Sequence, residues 1–289
     1  MKKSLAHLPK AKQDELKLIV NKIHELVYPE KIILFGSYAR GDWKDGPHEQ
    51  GKGRLTIHKK SDYDILVITE DTNTARDPDL WYKVKEECAK LDLSTHARII
   101  AEPVKFINRM LAQGRYFYKE IDKDGILMYD TCCYNLSKEE PQTPEDQKRI
   151  AQEYYDEAFT SAKVAYRQFE HALKDGSYKW AAFELHQAVE HAYKAVLLVF
   201  TDEYPHEHFL DFLGRLATHR CDEAFADIFP KSTPRGKYLF ELLDYAYIGA
   251  RYDPKYKITK EELEQLAPCV KKLHVVTERI CKEKIESFI

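Results

Sequence analysis

The stretch FGSYARGDWKDG, residues 35–46, and the stretch SDYDILVIT, residues 61–69, decide the fold of the first half of this chain. The first overlaps the apolar run KIILF at 31–35, which predicts a buried strand that ends at a Gly-Ser turn. The second opens with two aspartates and continues as a hydrophobic run, which predicts a strand buried on both faces. We expect the serine-bearing turn and the start of the second strand to lie side by side.

Helical and strand patterns alternate around these two stretches up to Tyr134. The helical spacing of apolar residues between 9 and 30 stops at Pro29, and a later helix ends at Gly114. Such alternation is typical of a domain in which helices cover a sheet, so we predict a mixed sheet flanked by helices. The other predicted segments are strands at 53–60 and 95–101, helices at 77–91 and 102–114, and a short helix that turns into a last strand within 117–130.

The second half of the chain has a different pattern. The segment NLSKEEPQTPEDQ at 135–147 is polar and holds two prolines, and Thr143 followed by Pro144 is a favourable helix start. Beyond it, helical periodicity continues almost without a break. We therefore predict an α+β protein of two domains, 1–136 and 145–289, joined by a linker at 137–144, with the second domain an all-α up-and-down bundle. The predicted helices cover about 145–174, 177–200, two shorter segments within 207–229, 234–251 and 259–287.

Composition excludes several classes of protein. The 289 residues are enough for two domains, and 45 basic against 48 acidic residues leave no positive excess of the kind that dedicated nucleic-acid binders carry. The N-terminus has no apolar run fit for a signal peptide, and no stretch reaches the roughly 18 apolar residues of a membrane span. We expect a cytoplasmic protein without membrane association. The six cysteines show no CxxC spacing, so we interpret them as free thiols, mostly in the core.

The Gly-Ser turn and the two aspartates together indicate a phosphate site. Gly36 and Ser37 let the backbone approach a ligand closely and offer amide groups, a hydroxyl and a helix start to a phosphate. Asp62 and Asp64 alternate along a strand, so they project from one face and can share one or two hard divalent cations. Each motif by itself is common in tight turns and solvated strand ends. Their order within the first seventy residues makes the joint signal specific.

These residues resemble the polymerase-beta-type nucleotidyltransferases, in the branch of minimal and kanamycin-type enzymes. The matching motifs are GSYARG at 36–41 and SDYD at 61–64. The resemblance implies that Gly36 and Ser37 hold a nucleoside triphosphate such as ATP, and that Asp62 and Asp64 bind two magnesium ions. It also implies transfer of a nucleoside monophosphate to an acceptor hydroxyl or phosphate, with release of pyrophosphate. Arg40 is a further candidate for contact with a phosphate.

Two departures from that family stand out. Residues 42–60 separate the turn from the aspartates, and their Gly-rich start and alternating RLTIH suggest a hairpin inserted beside the site. The family also carries a third carboxylate on the neighbouring strand, where this chain has His96 and Arg98. Asp92 or Glu102 are the candidates to replace it. Without a third acid, binding of a metal triphosphate is still expected, while deprotonation of the acceptor becomes harder.

The second half resembles the HEPN domain, a nucleotide-binding helical bundle, over about residues 145–287. The matching elements are HQAVEHAYKAVLL at 186–198 and ARYDPKY at 250–256. Many HEPN domains are ribonucleases that use an arginine and a histidine four to six residues later, but after Arg251 the corresponding residue is Tyr256. Arg251, Tyr252 and Tyr256 are instead candidates to hold a nucleotide, with the guanidinium contacting phosphate and a ring stacking on the base. The competing interpretation pairs Arg251 with a carboxylate and packs the tyrosines against the bundle.

His186 and Glu190 are four residues apart and form a conceivable metal pair. No third ligand is evident, and Glu190 and Lys194 make an ordinary i,i+4 ion pair, so we interpret the group as structural. The loop sequence HEH at 206–208 is treated in the same way.

Three functions follow from these observations. The first is a magnesium-dependent nucleotidyltransferase whose acceptor is a protein, an RNA or a small molecule, with the helical domain positioning the acceptor or mediating dimerisation. The second is a nucleotide-binding regulatory protein in a toxin-antitoxin-like setting. The third is a HEPN ribonuclease, which the missing histidine after Arg251 disfavours. In each case we expect a homodimer.

Overall fold

The computed structural model describes residues 1–45, 48–50, 54–56 and 60–288. The chain divides into two compact units, of which one contains Met1–His48 and Ile57–Pro141 and the other contains Glu49–Thr56 and Gln142–Ile289. The domain limits 1–136 and 145–289 stay predictions.

Helices and strands follow one another up to Asp130, within the part of the chain up to Tyr134 where the sequence predicts alternation. Position 53 and positions 57–59 of the predicted strand at 53–60 lie outside the described residues, and the short helix α3 was not predicted. In chain order the elements are α1 (Lys10–Val27), β1 (Lys31–Phe35), α2 (Gly36–Arg40), β2 (His48–Gln50), β3 (Arg54–Thr56), β4 (Tyr63–Thr69), α3 (Thr72–Arg76), α4 (Pro78–Ala89), β5 (Ala97–Pro103), α5 (Val104–Ala112), α6 (Tyr116–Asp124) and β6 (Ile126–Asp130).

Four strands form one mixed sheet in the order β5-β4-β1-β6. Strand β1 runs antiparallel to both of its neighbours, and β4 runs parallel to β5. Strands β2 and β3 pair in a separate two-stranded sheet, within the segment that the sequence suggested as an inserted hairpin. The predicted mixed sheet flanked by helices is therefore confirmed.

Helices bury both faces of this sheet, as the apolar runs of β1 and β4 predict. Along β1, Ile32 and Leu34 pack in a core with residues of α1 and α4, whereas Ile33 and Phe35 pack in a second core with residues of α5 and α6. Strand β4 alternates in the same way between the two cores. All five side chains of β1 are buried, so packing fixes the position of the strand and of the turn that follows it.

The register of the sheet brings the predicted site residues together at one edge. Phe35, the last residue of β1, lies opposite Asp64 near the start of β4. In the parallel pair, Asp64 lies beside Arg98 of β5. Because α2 begins at Gly36, immediately after β1, the Gly-Ser turn and the start of β4 meet at the same end of the sheet.

The second half is an all-α bundle, and the predicted fold class is confirmed. The Thr143 hydroxyl accepts a hydrogen bond from the Asp146 amide and Pro144 opens the first helix, as the sequence predicts. The two short helices expected within 207–229 are one α-helix and one 3-10 turn. The elements are α7 (Pro144–Lys174), α8 (Tyr178–Thr201), α9 (Leu210–Arg220), a 3-10 turn (Glu223–Phe225), α10 (Pro234–Tyr252) and α11 (Lys260–Glu286).

All six cysteines are free thiols, but they are not mostly core residues. Cys88 and Cys281 are buried, whereas Cys132 and Cys133 are exposed in the segment after β6. Among the residues that the structure describes, no helix combines the length and apolar character that crossing a membrane requires.

Candidate functional site

Gly36, the residue that follows β1, packs against the carboxylate of Asp64. Its φ of +71° lies in the left-handed region that only glycine adopts without strain. A Cβ at this position would lie 2.4 Å from Oδ2 of Asp64. The backbone of the Gly-Ser turn thus packs directly on the aspartate, and the expected proximity of turn and acidic strand is confirmed at this contact.

Asp62 and Asp64 flank a residue that points to the opposite side of β4. Tyr63 is fully buried in the core and its hydroxyl donates a 2.8 Å hydrogen bond to Glu15. The two aspartates are half-buried on the other side, and the Asp64 side chain is 14% exposed. Burial raises the pKa of the Asp64 carboxyl and the charge of Asp62 raises it further, while the charges of Arg98 and Arg40 act in the opposite direction.

Arg98 fills the position where a third carboxylate was sought. Its Nη2 and Nε lie 2.7 Å and 2.8 Å from the same oxygen of Asp64, Oδ1. The Arg98 side chain is 62% exposed. The sequence singled out Arg98 as a departure, but it did not indicate this ion pair, since only the register of β4 and β5 brings the two residues together.

The proposed substitutes for the third acid lie elsewhere. Glu102 forms an ion pair with Arg76 at 2.5 Å, and it lies four residues beyond Arg98, about 13 Å along the strand at roughly 3.3 Å per residue. Asp92 is exposed in the segment before β5. The charged groups that shift the pKa of Asp64 are Arg98, Asp62 and Arg40.

Asp62 and Asp64 are the two carboxylates that the sequence indicated as ligands of a divalent cation. Within the described ranges, no cluster of three or more His, Cys, Asp or Glu side chains is arranged to hold a metal ion. Magnesium is commonly held by one or two carboxylates together with phosphate oxygens of the substrate. Asp62 and Asp64 can supply such a pair, although one oxygen of Asp64 is already engaged by Arg98.

Ser37 and Arg40 lie on the short helix α2, beside the acids. Ser37 is half-buried, and its carbonyl accepts hydrogen bonds from the amides of Gly41 and Asp42, at 2.9 Å and 3.1 Å. Arg40 is 29% exposed and its Nε lies 3.3 Å from Asp42. Its charge acts on Asp64, so Arg40 belongs to the same electrostatic neighbourhood.

The segment after α2 is tied to the start of β4. The Lys44 amide donates to the Ser61 hydroxyl at 3.0 Å, and the Ser61 amide donates to the Lys44 carbonyl at 2.9 Å. The ring of Trp43 stacks on Tyr38 with centroids 5.6 Å apart. These contacts hold the turn and the acidic strand in one arrangement.

In the helical unit, Arg251 is held between aromatic rings. Its guanidinium carbon lies 4.1 Å from the ring centre of Tyr247 and 5.0 Å from that of Phe183, and its Nε donates to the Tyr247 carbonyl at 2.7 Å. No carboxylate among the described side chains forms an ion pair with Arg251, so the alternative in which an acid neutralises it is not realised there. Arg251 remains a candidate for an anionic group.

Tyr256 is more deeply buried than Arg251, which is half-buried. It is 3% exposed, its hydroxyl donates to the Leu242 carbonyl at 3.1 Å, and its ring packs so closely on Gly249 that a Cβ there would lie 2.6 Å from it. Burial raises the pKa of the phenol. This packing matches the competing interpretation, and it leaves no open ring face for a base. Tyr252 is 45% exposed, and the guanidinium carbon of Arg251 lies 4.9 Å from its ring centre.

A buried polar network surrounds Glu190 in the same unit. Oε1 of Glu190 accepts from Lys194 Nζ at 2.9 Å and lies 3.0 Å from His208 Nδ1, while Oε2 accepts from Gln187 at 3.1 Å. His186 lies 3.7 Å from Oε2. The Glu190–Lys194 pair was predicted, but the contact with His208 was missed because it joins two distant segments of the chain.

This network has strongly shifted acid-base properties. Burial alone would raise the pKa of Glu190, but the hydrogen bond with His208 and the charge of Lys194 lower it to about 2. Burial lowers the pKa of His186 to about 4. The carboxylate is therefore charged and His186 neutral at physiological pH, which suits a structural group.

Comparison with protein families agrees with both resemblances. Residues 17–132 match the model of the polymerase beta nucleotidyltransferase family, and residues 149–280 match the model of the HEPN domain. No curated protein matches the chain. The two matched segments follow one another in the order that the motifs indicated.

Proposed function

Because the chain joins a polymerase beta nucleotidyltransferase domain to a HEPN domain, we propose that it transfers a nucleoside monophosphate from a metal-bound nucleoside triphosphate to an acceptor, with release of pyrophosphate. The observation that carries this proposal is the contact between Gly36 and Asp64. A glycine with positive φ, packed on a carboxylate at the end of a buried strand, places backbone groups beside a side chain that can bind a metal ion. A metal-complexed polyphosphate needs both groups.

Each residue at this edge has a role in the proposal. The backbone at Gly36 and the hydroxyl of Ser37 contact the polyphosphate, and Arg40 supplies positive charge. Asp62 and Asp64 would hold one magnesium ion. When bound, such an ion neutralises phosphate oxygens and makes the attacked phosphorus more electrophilic. The protein's own part is to align the triphosphate with the acceptor at the edge where α2 follows β1 and β4 begins.

The acceptor belongs to the proposal only as a class: a hydroxyl or phosphate of a protein, an RNA or a small molecule. Arg251, unpaired among the described carboxylates and flanked by rings, is proposed to contact a nucleotide phosphate in the helical domain. Tyr256 supports that element through its buried hydroxyl bond rather than through stacking. We further propose a cytoplasmic homodimer.

One observation favours a second function, a nucleotide-binding regulatory protein with weak or no turnover. An arginine stands beside Asp64 where a general base would be needed, and neither Glu102 nor Asp92 approaches the aspartates. A toxin-antitoxin-like setting suits such a protein. Binding without turnover would mark this alternative.

The test is pyrophosphate release by the full chain with magnesium and each of the four ribonucleoside triphosphates, over a panel of protein, RNA and small-molecule acceptors. Triphosphate binding is measured in parallel by calorimetry. We expect at least one triphosphate to bind, and Asp62→Asn with Asp64→Asn to abolish binding and release. The matched control is Asp92→Asn, an exposed acid of the same domain, which should leave both unchanged. Equal affinity in the double variant and the native chain would remove the site from the mechanism.

A further inference from the structure

Among the described residues, Arg98 is the one cationic side chain that bonds Asp64 directly. It lies on β5 in register with Asp64 on β4, so the backbone places it there and no long loop is involved. Two of its nitrogens converge on the single oxygen Oδ1, at 2.7 Å and 2.8 Å. The other oxygen, Oδ2, faces the backbone of Gly36.

This arrangement leaves little of Asp64 for a metal ion. A hard cation bound by Asp62 and Asp64 needs an oxygen of each carboxylate, and the guanidinium occupies the oxygen of Asp64 that does not face Gly36. Two positive charges cannot sit against one oxygen at short range without strong repulsion. The metal ion and Arg98 therefore compete for Asp64.

We propose that Arg98 is a built-in counter-cation, which neutralises Asp64 in the free protein and transfers to the polyphosphate when a metal-bound triphosphate arrives. The inference rests on the function proposed above. It explains the order in which the metal ion and the nucleotide bind at that site. The metal ion enters with the nucleotide, because only the nucleotide offers Arg98 a replacement anion.

The geometry permits this exchange. The Arg98 side chain is 62% exposed, so it can swing on its flexible stem without unpacking a core. An ion pair that is open to solvent on one side contributes less to stability than a fully buried one. Phosphate is at least as good a partner as carboxylate, since the planar guanidinium can donate two parallel hydrogen bonds to it.

The first test measures metal binding in the absence of any nucleotide. Mn²⁺ is titrated into the full chain and free Mn²⁺ is followed by electron paramagnetic resonance. We expect Arg98→Ala to bind Mn²⁺ about tenfold more tightly than the native chain, the equivalent of about 1.4 kcal/mol. The gain should vanish when Asp64→Asn is added. The matched control is Arg76→Ala, which breaks the other arginine-carboxylate pair of β5, that with Glu102, and should leave Mn²⁺ affinity unchanged.

The second test uses inorganic triphosphate with a chelator present, so that Arg98 is probed as a phosphate ligand without metal. Arg98→Ala should weaken its binding about tenfold, Arg98→Lys by less, and Arg76→Ala not at all. Unchanged Mn²⁺ affinity in Arg98→Ala, or unchanged triphosphate affinity, would overturn the proposal. Because the Mn²⁺ titration involves no nucleotide, its failure is separate from failure of the proposed transferase, which shows as absent nucleotide binding or pyrophosphate release in the native chain.

Discussion

Two carboxylates in this protein meet a cationic side chain at nearly the same distance, with opposite consequences. Asp64 lies 2.7 Å from Arg98 in the first unit, and Glu190 lies 2.9 Å from Lys194 in the second. Arg98 is 62% exposed, whereas the Lys194 side chain is 2% exposed. The pKa of Asp64 is raised, and that of Glu190 is lowered to about 2.

The difference lies in the remaining partners. Glu190 has both oxygens engaged, by Lys194, His208 and Gln187, so its charge is fully compensated inside the bundle. Asp64 has Arg98 on one oxygen and the like charge of Asp62 nearby. A fully compensated buried charge is part of the fold, whereas a partly compensated charge at an accessible edge can take a ligand.

The largest effect expected from this comparison is that of Glu190→Ala. It leaves Lys194 buried without a carboxylate, so the free energy of unfolding should fall by about 3 to 5 kcal/mol. Urea denaturation followed by far-ultraviolet circular dichroism measures the change. Glu283→Ala, which breaks an exposed pair with Arg279, is the control and should cost at most about 1 kcal/mol. Equal costs for the two variants would mean that the Glu190 network is not structural.

The next effect is a pH dependence that His186 imposes on the helical unit. Its pKa is about 4 in the folded protein against an ordinary 6.5, so between these values the unfolded chain binds a proton that the folded chain does not. Stability from neutral His186 is complete above pH 6.5 and is lost as the pH falls toward 4, by on the order of 3 kcal/mol. Glu190, with its lowered pKa, adds a further loss as the pH falls below 4.5 toward 2.

Urea denaturation at a series of pH values tests this. His186→Gln keeps a donor for the His208 carbonyl and removes the titrating group, so its unfolding free energy should depend less on pH between 6.5 and 4. His171→Gln, at an exposed position of α7, should keep the native slope. A native slope in the His186 variant would assign the acid sensitivity to another group.

A smaller effect is expected at Gly36, for which the chain offers a matched control. Gly36 and Gly176 have φ of +71° and +72°, but a Cβ at Gly176 would meet nothing within 4 Å. Gly176→Ala should therefore cost only the strain of the left-handed backbone, about 1 to 2 kcal/mol. Gly36→Ala should cost somewhat more, because the new methyl group displaces the Asp64 carboxylate, and it alone should abolish triphosphate binding. Retained binding in Gly36→Ala would show that Asp64 tolerates displacement.

The smallest effect is the stability cost of Arg98→Ala. Because the arginine of the Arg98–Asp64 ion pair is exposed to solvent, the free energy of unfolding should change by at most about 1 kcal/mol. Lys194→Ala, measured in the same urea series, should cost several times more, since it strands the charge of Glu190 in the bundle. A similar cost at both positions would erase the distinction between an exchangeable pair and a structural one.

Patterns that are local in the chain were predicted well. The run KIILF, the Gly-Ser turn after it and the acidic start of β4 lie where the sequence placed them, and so does the helix that begins after Thr143. Strand and helix periodicity, and caps, depend on neighbouring residues, so they can be recognised without knowledge of the fold. The segment 207–229 was harder, because a 3-10 turn there has too few residues to show a period.

Two specific contacts between distant segments were not predicted. His208 lies 18 residues from Glu190 along the chain and Arg98 lies 34 from Asp64, and in both cases the pairing follows from packing or strand register. Tyr256 was expected to stack on a base, but its ring is buried in the bundle. Only the packed bundle shows that the ring is covered.

The sequence by itself determined the two-part architecture, the strands of the sheet, and which residues are candidates for a phosphate and a metal ion, because these depend on residue type and local spacing. Only the tertiary structure decided that Arg98 bonds Asp64. It also decided that Glu190 lies in a buried network in which both of its oxygens are engaged. The strength of a charge depends on what surrounds it in space, and that surrounding is assembled from segments that the linear chain keeps apart.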